Sequence, residues 1–206
     1  MKILLLFLLS FVLLLGCGKP NLDDPDSLNE ILESATEEDG LQRRGKEGEE
    51  LYYLPNSQKP YTGLAKTMYK NGQVRNLINF KDGKEHGLDT SWYDSGQKES
   101  EGNYKEGVRH GPAAAWHENG QKMVEAVYKE GKLHGFLTKW YENGQKEVED
   151  NYKEGEKHGP AAAWHENGQK MGEVIYKEGE PHGVVKAWDE KGNLIETKWE
   201  NGKRVE

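Results

Sequence analysis

The chain has 206 residues, 36 acidic and 28 basic side chains, a net charge of −8 and a mean hydropathy of −0.97. Most of the negative charge sits in residues 21–50, so residues 51–206 are close to neutral with mixed signs and carry no basic stripe that would follow a phosphate backbone; nucleic acid is excluded as the expected partner. Cys17 is the single cysteine, which excludes an intramolecular disulfide, thiolate chemistry within the repeats and a cysteine-based zinc site.

Met1 and Lys2 lead into thirteen mostly apolar residues, Ile3 to Leu15, followed by Gly16 and Cys17. Thirteen helical residues reach only about 20 Å, against a hydrocarbon core of roughly 30 Å, so this run is too short to span a membrane comfortably. A short apolar run behind a positive residue, ending in small residues, reads as a secretory signal over residues 1–16. Leu14-Leu15-Gly16-Cys17 resembles a bacterial lipobox, which implies lipidation of Cys17 and attachment to a membrane. Gly18, where a sorting Asp would stand, favours the outer membrane if the host has two. Residues 17–50 are rich in Pro, Asp, Glu, Ser and Gly and read as an acidic flexible tether. Within it Ser27-Leu28-Asn29-Glu30 resembles a capping box and predicts a short helix over 28–35.

From residue 51 onward a 24-residue period governs the chain. His-Gly pairs recur at His86-Gly87, His110-Gly111, His134-Gly135, His158-Gly159 and His182-Gly183, preceded by Thr62-Gly63. Five positions after each His-Gly glycine comes Trp92, Trp116, Trp140, Trp164 or Trp188, with Met68 in the first copy. Phe80, Tyr104, Tyr128, Tyr152 and Tyr176 complete the pattern. Self-similarity at a fixed period marks an array of one small supersecondary unit. Each unit reads as strand, tight turn, strand, longer turn. The tight turns hold Gly72, Gly96, Gly120, Gly144, Gly168 and Gly192, each preceded by Asn, Ser or Lys. A two-residue type I′ turn needs positive φ at both positions, which Ser95 and Lys191 fit badly; a three-residue loop with one left-handed Gly fits all six.

That loop, with regular alternation beyond it, places Trp116 on one face with Val124, Ala126 and Tyr128, and Trp140 with Val148 and Tyr152. Glu101, Glu125, Glu149 and Glu173 then fall on an opposite, polar face. The prediction is an all-β array of antiparallel hairpins, about six units and twelve strands, forming an elongated twisted sheet of close to 60 Å at about 4.8 Å per strand. Residues 51–54 are expected to supply the first edge strand, and residues 193–205, one residue shorter than the period, to close the last.

The motifs Tyr61-Thr62-Gly63, Met68-Tyr69-Lys70-Asn71-Gly72, and the repeated Trp-Tyr-Glu-Asn-Gly-Gln-Lys, Tyr-Lys-Glu-Gly and His-Gly resemble the MORN-repeat variant. More closely they resemble the bacterial proteins grouped as the YwqK-type antitoxin family. The resemblance covers residues 61–206 and implies a non-enzymatic scaffold, with an antitoxin or immunity protein that neutralises a cognate toxin as the alternative. An export signal fits poorly with an antitoxin for an intracellular toxin. Residues 110–123 and 158–171 are identical, 48 positions apart, which points to duplication of a two-unit block.

The regularly spaced histidines do not predict a metal centre. Equivalent positions lie two strands apart, about 10 Å, whereas zinc ligands sit about 2 Å from one ion. His117 and His165, which replace Tyr at their position, lie four strands apart and fail the same test. The Glu ladder with Lys98, Lys122, Lys146 and Lys170 reads as solvated charge that discourages edge pairing. It supplies neither the cleft nor the two unlike environments that paired catalytic carboxylates need, so no catalytic residue and no cofactor is assigned. The row Trp92, Trp116, Trp140, Trp164 and Trp188 is the candidate binding feature: it either forms the thin core of the sheet or anchors a protein partner or, as a minor alternative, a glycan.

Overall fold

The computed structural model describes residues 21–189 and 191–205. The expected signal segment and Cys17 lie outside the described residues. The chain divides into two units, Met1–Ser34 and Ala35–Glu206. In the first, α1 (Pro25–Ser34) starts where Asp24 accepts the backbone N–H of Ser27 at 2.9 Å, with Pro25 in the first helical position. The cap is therefore Asp24, three residues earlier than the Ser27 capping box predicts. The two hydrogen bonds from Ser27 hold the Asp24 carboxyl below its usual range.

The second unit begins at residue 35, inside the stretch expected to be a tether. It opens with β1 (Thr36–Glu37), a single 3-10 turn (Glu38–Gly40), β2 (Gln42–Arg44) and β3 (Leu51–Tyr53). The array itself comprises β4 (Gly63–Met68), β5 (Val74–Lys81), β6 (Lys84–Glu85), β7 (Gly87–Trp92), β8 (Lys98–Lys105), β9 (Val108–Trp116) and β10 (Lys122–Lys129). It continues through β11 (Lys132–Trp140), β12 (Lys146–Lys153), β13 (Glu156–Lys157), β14 (Gly159–Trp164), β15 (Lys170–Lys177), β16 (Glu180–Trp188), β17 (Leu194–Glu200) and β18 (Lys203–Arg204). Among the described residues these make one sixteen-stranded sheet in chain order, with successive hairpins antiparallel, and a separate pair formed by β2 and β3.

The first edge strand is β1 rather than residues 51–54. Thr36 and Glu37 pair in parallel with Ala65 and Lys66, while Leu51–Tyr53 pairs with β2. The reason lies in what the N-terminal segment covers. Tyr61, Ala65, Ile78 and Phe80 form a buried cluster at the start of the array, and Leu41 and Tyr52 pack on it. Tyr52 and Phe80 meet at 4.8 Å between ring centroids, tilted by 53°, and the Tyr61 hydroxyl donates to the Leu64 carbonyl at 2.7 Å. Apolar area on the first hairpin has no preceding repeat to bury it, so the segment ahead of it folds over as a cap.

The two kinds of turn differ in the way the glycines demand. At the Asn-Gly loops the Gly120 N–H donates to the His117 carbonyl at 2.8 Å and the His117 N–H donates to the Gln121 carbonyl at 2.8 Å. Gly120 has φ 81° while Asn119 stays at negative φ, which is the predicted three-residue loop; the same two bonds recur from Tyr69 to Asp189. The Glu-Gly turns, expected to be the longer ones, are the two-residue type I′ turns. Glu106 and Gly107, for instance, have φ 53° and 83° between paired Lys105 and Val108.

Beyond each three-residue loop the ladder slips by one residue. Lys122 pairs with Trp116, but Val124 pairs with Ala115, so Met123 is an extra residue. Arg75, Glu99, Glu147 and Met171 occupy the equivalent bulges. The last hairpin has none: Trp188 pairs with Leu194, Ala187 with Ile195, and the register runs unbroken to Gly183 and Trp199. The residue missing from the final period is the bulge.

The bulge corrects the assignment of faces. Because one residue is inserted, the strand after it presents the opposite parity. Trp116 shares its face with Ala114 and Glu125, not with Val124, Ala126 and Tyr128; Trp140 shares its face with Thr138 and Glu149, not with Val148 and Tyr152. Trp residues and the Glu ladder lie together, and the Tyr row lies on the reverse.

Glu130 holds an unfavourable left-handed conformation, φ 51°, in its type I′ turn. Glu130→Asn is expected to raise stability by about 0.5–1 kcal/mol, because Asn tolerates that region. Gly120→Ala is expected to lower it by about 1 kcal/mol. Urea unfolding followed by circular dichroism measures both.

Candidate functional site

On the Trp face the repeat builds a continuous charged and aromatic stack. Each Lys after the loop stands opposite its own Trp and reaches the Trp of the next unit. Lys98 pairs with Trp92 and its Nζ lies 5.5 Å from the Trp116 ring; Lys122 pairs with Trp116 and lies 5.5 Å from Trp140; Lys146 pairs with Trp140 and lies 5.8 Å from Trp164. Lys170 lies between Trp164, at 6.0 Å, and Trp188, at 5.9 Å. Each ammonium is held by the Glu three residues on: Lys98–Glu101 at 3.3 Å, Lys122–Glu125 at 2.6 Å, Lys146–Glu149 at 2.7 Å and Lys170–Glu173 at 2.8 Å. In a regular strand residues i and i+3 point to opposite faces; the bulge between them makes the pair possible.

A cation over an indole contributes about 0.5–2 kcal/mol depending on its solvation, and the lysine stem covers apolar ring surface as well. The Glu ladder is therefore not free surface charge but the clamp on the Trp–Lys stack. Glu173 also accepts Lys186 at 3.0 Å, and the hydrogen bonds from Lys170 and Lys186 hold its carboxyl below the ordinary range. Trp92 is 4% exposed, and Trp116, Trp140, Trp164 and Trp188 are half-buried. With lysines over these rings, an aromatic or sugar ligand stacking there would first have to displace them.

The two long margins of the sheet carry their own unit-to-unit bonds. At the Asn-Gly margin, Tyr69, Tyr93 and Tyr141 each donate a hydroxyl at 2.8 Å to the carbonyl of Trp92, Trp116 and Trp164, and His117 Nε2 makes the same contact with Trp140 at 3.2 Å. Burial first, then nearby Glu side chains, raises the Tyr93 and Tyr141 hydroxyls. Asn71, Asn119 and Asn143 donate to the next loop at Asp94, Glu142 and Glu166, at 2.8–2.9 Å. The ladder ends at His165, whose buried Nε2 has no hydrogen-bond partner among the described residues.

At the opposite margin the His-Gly histidines lean on the following Glu-Gly turn. His110 Nδ1 accepts the Glu130 N–H at 3.5 Å, Thr62 accepts the Asp82 N–H at 2.9 Å in the first copy, and His86 and His134 contact Glu106 and Glu154 at 3.4 and 3.3 Å. Among the described residues no group of three or more His, Cys, Asp or Glu side chains is placed to hold a metal ion.

The Tyr face holds two related cradles, 48 residues apart. In one the Arg109 guanidinium lies 5.3 Å from the Tyr128 ring and its Nε donates to the Tyr104 hydroxyl at 3.2 Å, beside Ala113 and Ala126, around a cavity of about 140 Å³. In the other Lys157 Nζ lies 5.2 Å from the Tyr176 ring and pairs with buried Asp150 at 2.9 Å, beside Ala161 and Val174. Against the first cradle stands an acidic group that sequence reasoning missed. Asp89 on β7 is pushed up to about 6 by burial first, then by Glu85 and Glu38, with Arg109 opposing. Glu85 is raised by burial and by Glu38. Glu38 lies 51 positions before Asp89, ahead of the repeats, and Arg109 lies 20 positions after it, so no single spacing in the chain announces the cluster.

The third feature is apolar. Phe136 is 44% exposed, Ile175 54% and Val184 51%. Phe136 and Val184 follow the His-Gly glycine, on the Trp face, where exposed Pro112 and Pro160 stand in the other units. Ile175 pairs directly with Pro160 and Val127 with Pro112. Two apolar patches result, Pro112-Val127-Phe136 and Pro160-Ile175-Val184, four strands and about 19 Å apart. The prolines sit where the adjoining His-Gly bulge leaves no backbone partner to lose; Asn103 and Asn151 side chains donate to their carbonyls, both at 2.9 Å.

A family model described as MORN repeat variant matches residues 61–82, 85–106, 109–130, 133–154 and 157–178, together more than half of the chain. The unit that follows, whose hairpin lacks the bulge, lies outside the matched stretches. Comparison with curated proteins gives no match.

Substitutions at two residues test this site. Lys122→Ala is expected to destabilise by about 1 kcal/mol and Lys122→Met by less, since the methionine keeps the stem over Trp140; urea titration followed by Trp fluorescence reads the difference. Asp89 has a folded pKa raised above its unfolded value, so its contribution to stability is fully present below the unfolded value near 3.8 and is lost as pH rises through about 6. Asp89→Asn is expected to raise stability at pH 7.5 by about 1–2 kcal/mol and to leave it little changed at pH 4, as measured by melts across that range.

Proposed function

The chain belongs to the MORN repeat variant family, and on that footing we propose that it is a non-enzymatic scaffold that binds a protein partner while tethered to a membrane through a lipid on Cys17. The observation that carries the binding role is the pair of apolar patches on the Trp face. A sheet whose Trp rings are covered by paired lysines nevertheless leaves Phe136, Ile175 and Val184 about half exposed, and exposed apolar side chains grouped with prolines mark contact surface. Their two-unit spacing gives a partner two similar footholds, and simultaneous engagement of both raises affinity by avidity.

The tether rests on the lipobox-like run Leu14-Leu15-Gly16-Cys17 and the acidic segment behind it. Among the described residues no helix is long and apolar enough to cross a membrane. Gly18 favours the outer membrane where there is one.

An affinity pull-down from gently solubilised membranes tests the reading, comparing the wild-type chain with Phe136→Glu/Val184→Glu. Loss of at least about 2 kcal/mol of binding, with an unchanged melt, is the expected result for central interface residues. Capture that is indifferent to both substitutions would sink the assignment to this surface. A single stoichiometric partner that is toxic when expressed alone would replace the scaffold with a neutralising role of the kind the antitoxin resemblance implies. Failure of Cys17→Ala to release the protein from the membrane fraction would remove the lipid tether.

A further inference from the structure

The two cradles on the Tyr face differ at one point. In the second, Lys157 pairs with Asp150 at 2.9 Å, and Asp150 is 5% exposed. Forty-eight residues earlier the cation is Arg109, and Gly102 takes the place of Asp150. Nothing in the backbone asks for glycine there. Gly102 lies within β8 without a positive φ, and a Cβ on it would meet Tyr104 Cε2 at 3.6 Å and the Ala113 Cβ at 3.8 Å, both ordinary contacts. Its effect is to leave space: Gly102 and its cross-strand partner Ala113 line the cavity of about 140 Å³. Two unlike charges face that space. Asp89 stands directly across from Gly102 on β7, and among the described residues its carboxyl makes no hydrogen bond and no ion pair. Arg109 lines the cavity from β9 and is held by phenols: its Nε donates to the Tyr104 hydroxyl at 3.2 Å, and it lies 5.3 Å from the Tyr128 ring. A guanidinium carries more N–H donors than two phenols take up. Among the described residues no carboxylate lies at ion-pair distance from it, whereas Lys157 has Asp150.

We propose that this cavity binds a small zwitterion, an α-amino acid of the size of glycine or alanine, with its ammonium toward Asp89 and its carboxylate on the Arg109 guanidinium. The signs of the two groups select the class. A carboxylate without an amine would gain Arg109 but be repelled by Asp89 and the neighbouring Glu85; an amine without a carboxylate would gain Asp89 and be repelled by Arg109. A ligand that carries both charges a few bonds apart answers each group with its opposite, and arginine takes a carboxylate in a planar two-bond fork. Size narrows the class further. A cavity of roughly 150 Å³ takes a benzene-sized molecule, about six non-hydrogen atoms. Glycine and alanine match that, while a peptide exceeds it and holds its terminal charges farther apart. The methyl groups of Ala113 and Ala126, which pair with each other across β9 and β10, supply an apolar surface for the alanine methyl. The second cradle already satisfies its cation from within the chain, so the site belongs to the first cradle alone. Neither the membrane tether nor the apolar patches enter this inference.

The test titrates the full chain in detergent with glycine and with L-alanine at pH 7.5, where Asp89 is ionised, and follows backbone amide chemical shifts. The expected result is saturable binding with half-saturation below about 10 mM and with shifts centred on Asp89, Gly102 and Ala113. Gly102→Val puts a strand-favouring side chain into the cavity and is expected to weaken binding at least about tenfold with an unchanged circular dichroism spectrum. Arg109→Gln, at an exposed position, and Asp89→Asn are each expected to weaken it by a similar factor, and they keep the test open should Gly102→Val disturb the fold. N-acetylalanine, which lacks the ammonium, and alaninamide, which lacks the carboxylate, are expected to bind at least about tenfold more weakly than alanine. Absence of saturation with both amino acids would overturn the proposal. So would binding indifferent to Arg109→Gln and Asp89→Asn, or N-acetylalanine or alaninamide binding as tightly as alanine. Partner capture through Phe136 and Val184 is a separate readout, so failure of one proposal does not carry the other.

Discussion

The extra residue that follows each Asn-Gly loop is the constraint on which the rest of the array depends. Without it, Lys122 and Glu125 would point to opposite sides of the sheet, and Trp116 would join Val124, Ala126 and Tyr128 in an apolar row. With it, one face collects Trp, Lys and Glu, the other collects Tyr with small and aliphatic residues, and neither is purely apolar. This suits a single layer of sheet. Beyond the first hairpin no second layer covers either face among the described residues, so a row of bare indoles would expose large apolar area to water. Interleaving lysine stems between the rings covers that area, and the glutamates fix the ammonium groups where the stems are most useful.

Stability in such an array comes from neighbouring units rather than a common core. Each unit reaches the next at its two margins and across both faces: loop hydroxyl to Trp carbonyl, Asn to the next loop, His or Thr to the next turn, and Lys to the next Trp. Every contact spans about one period and none spans several, so the energetic description is a sum of nearest-neighbour terms. The ends of the array then stand apart from its interior. At the start, Leu41, Tyr52 and β1 supply what a preceding unit would have supplied. At the end stand a hairpin without a bulge and the two-residue strand β18.

The 48-residue duplication acquires structural meaning from the faces. Single units repeat every 24 residues, yet the residues that depart from the common pattern recur every 48: Pro112 and Pro160, Arg109 and Lys157, and the alanines at 113–115 and 161–163. Two apolar patches on one face and two cation–tyrosine cradles on the other follow from this longer period. Repetition at the level of the pair, rather than the unit, gives the surface its two similar apolar patches, and it ties the proposed protein-binding role to their spacing.

The period, the glycines and the Trp and Tyr positions determined, by themselves, the all-β hairpin array, the three-residue loops and the family, because turn geometry is a local demand that a few residues state openly. The one-residue deficit near the end of the chain was equally visible. Only the tertiary structure decided which side chains share a face. Counting alternate residues assumes an unbroken ladder, and one inserted residue reverses the parity of everything after it; the Lys-x-x-Glu spacing at Lys98, Lys122, Lys146 and Lys170 was the trace of that reversal in the chain. The cap at the first edge and the Asp89 cluster were beyond any periodic reading. They join Thr36, Glu38 and Tyr52 to residues tens of positions away, in a segment whose acidic composition resembles a tether, and the burial that holds it in place exists only once the first hairpin has nothing else to cover it.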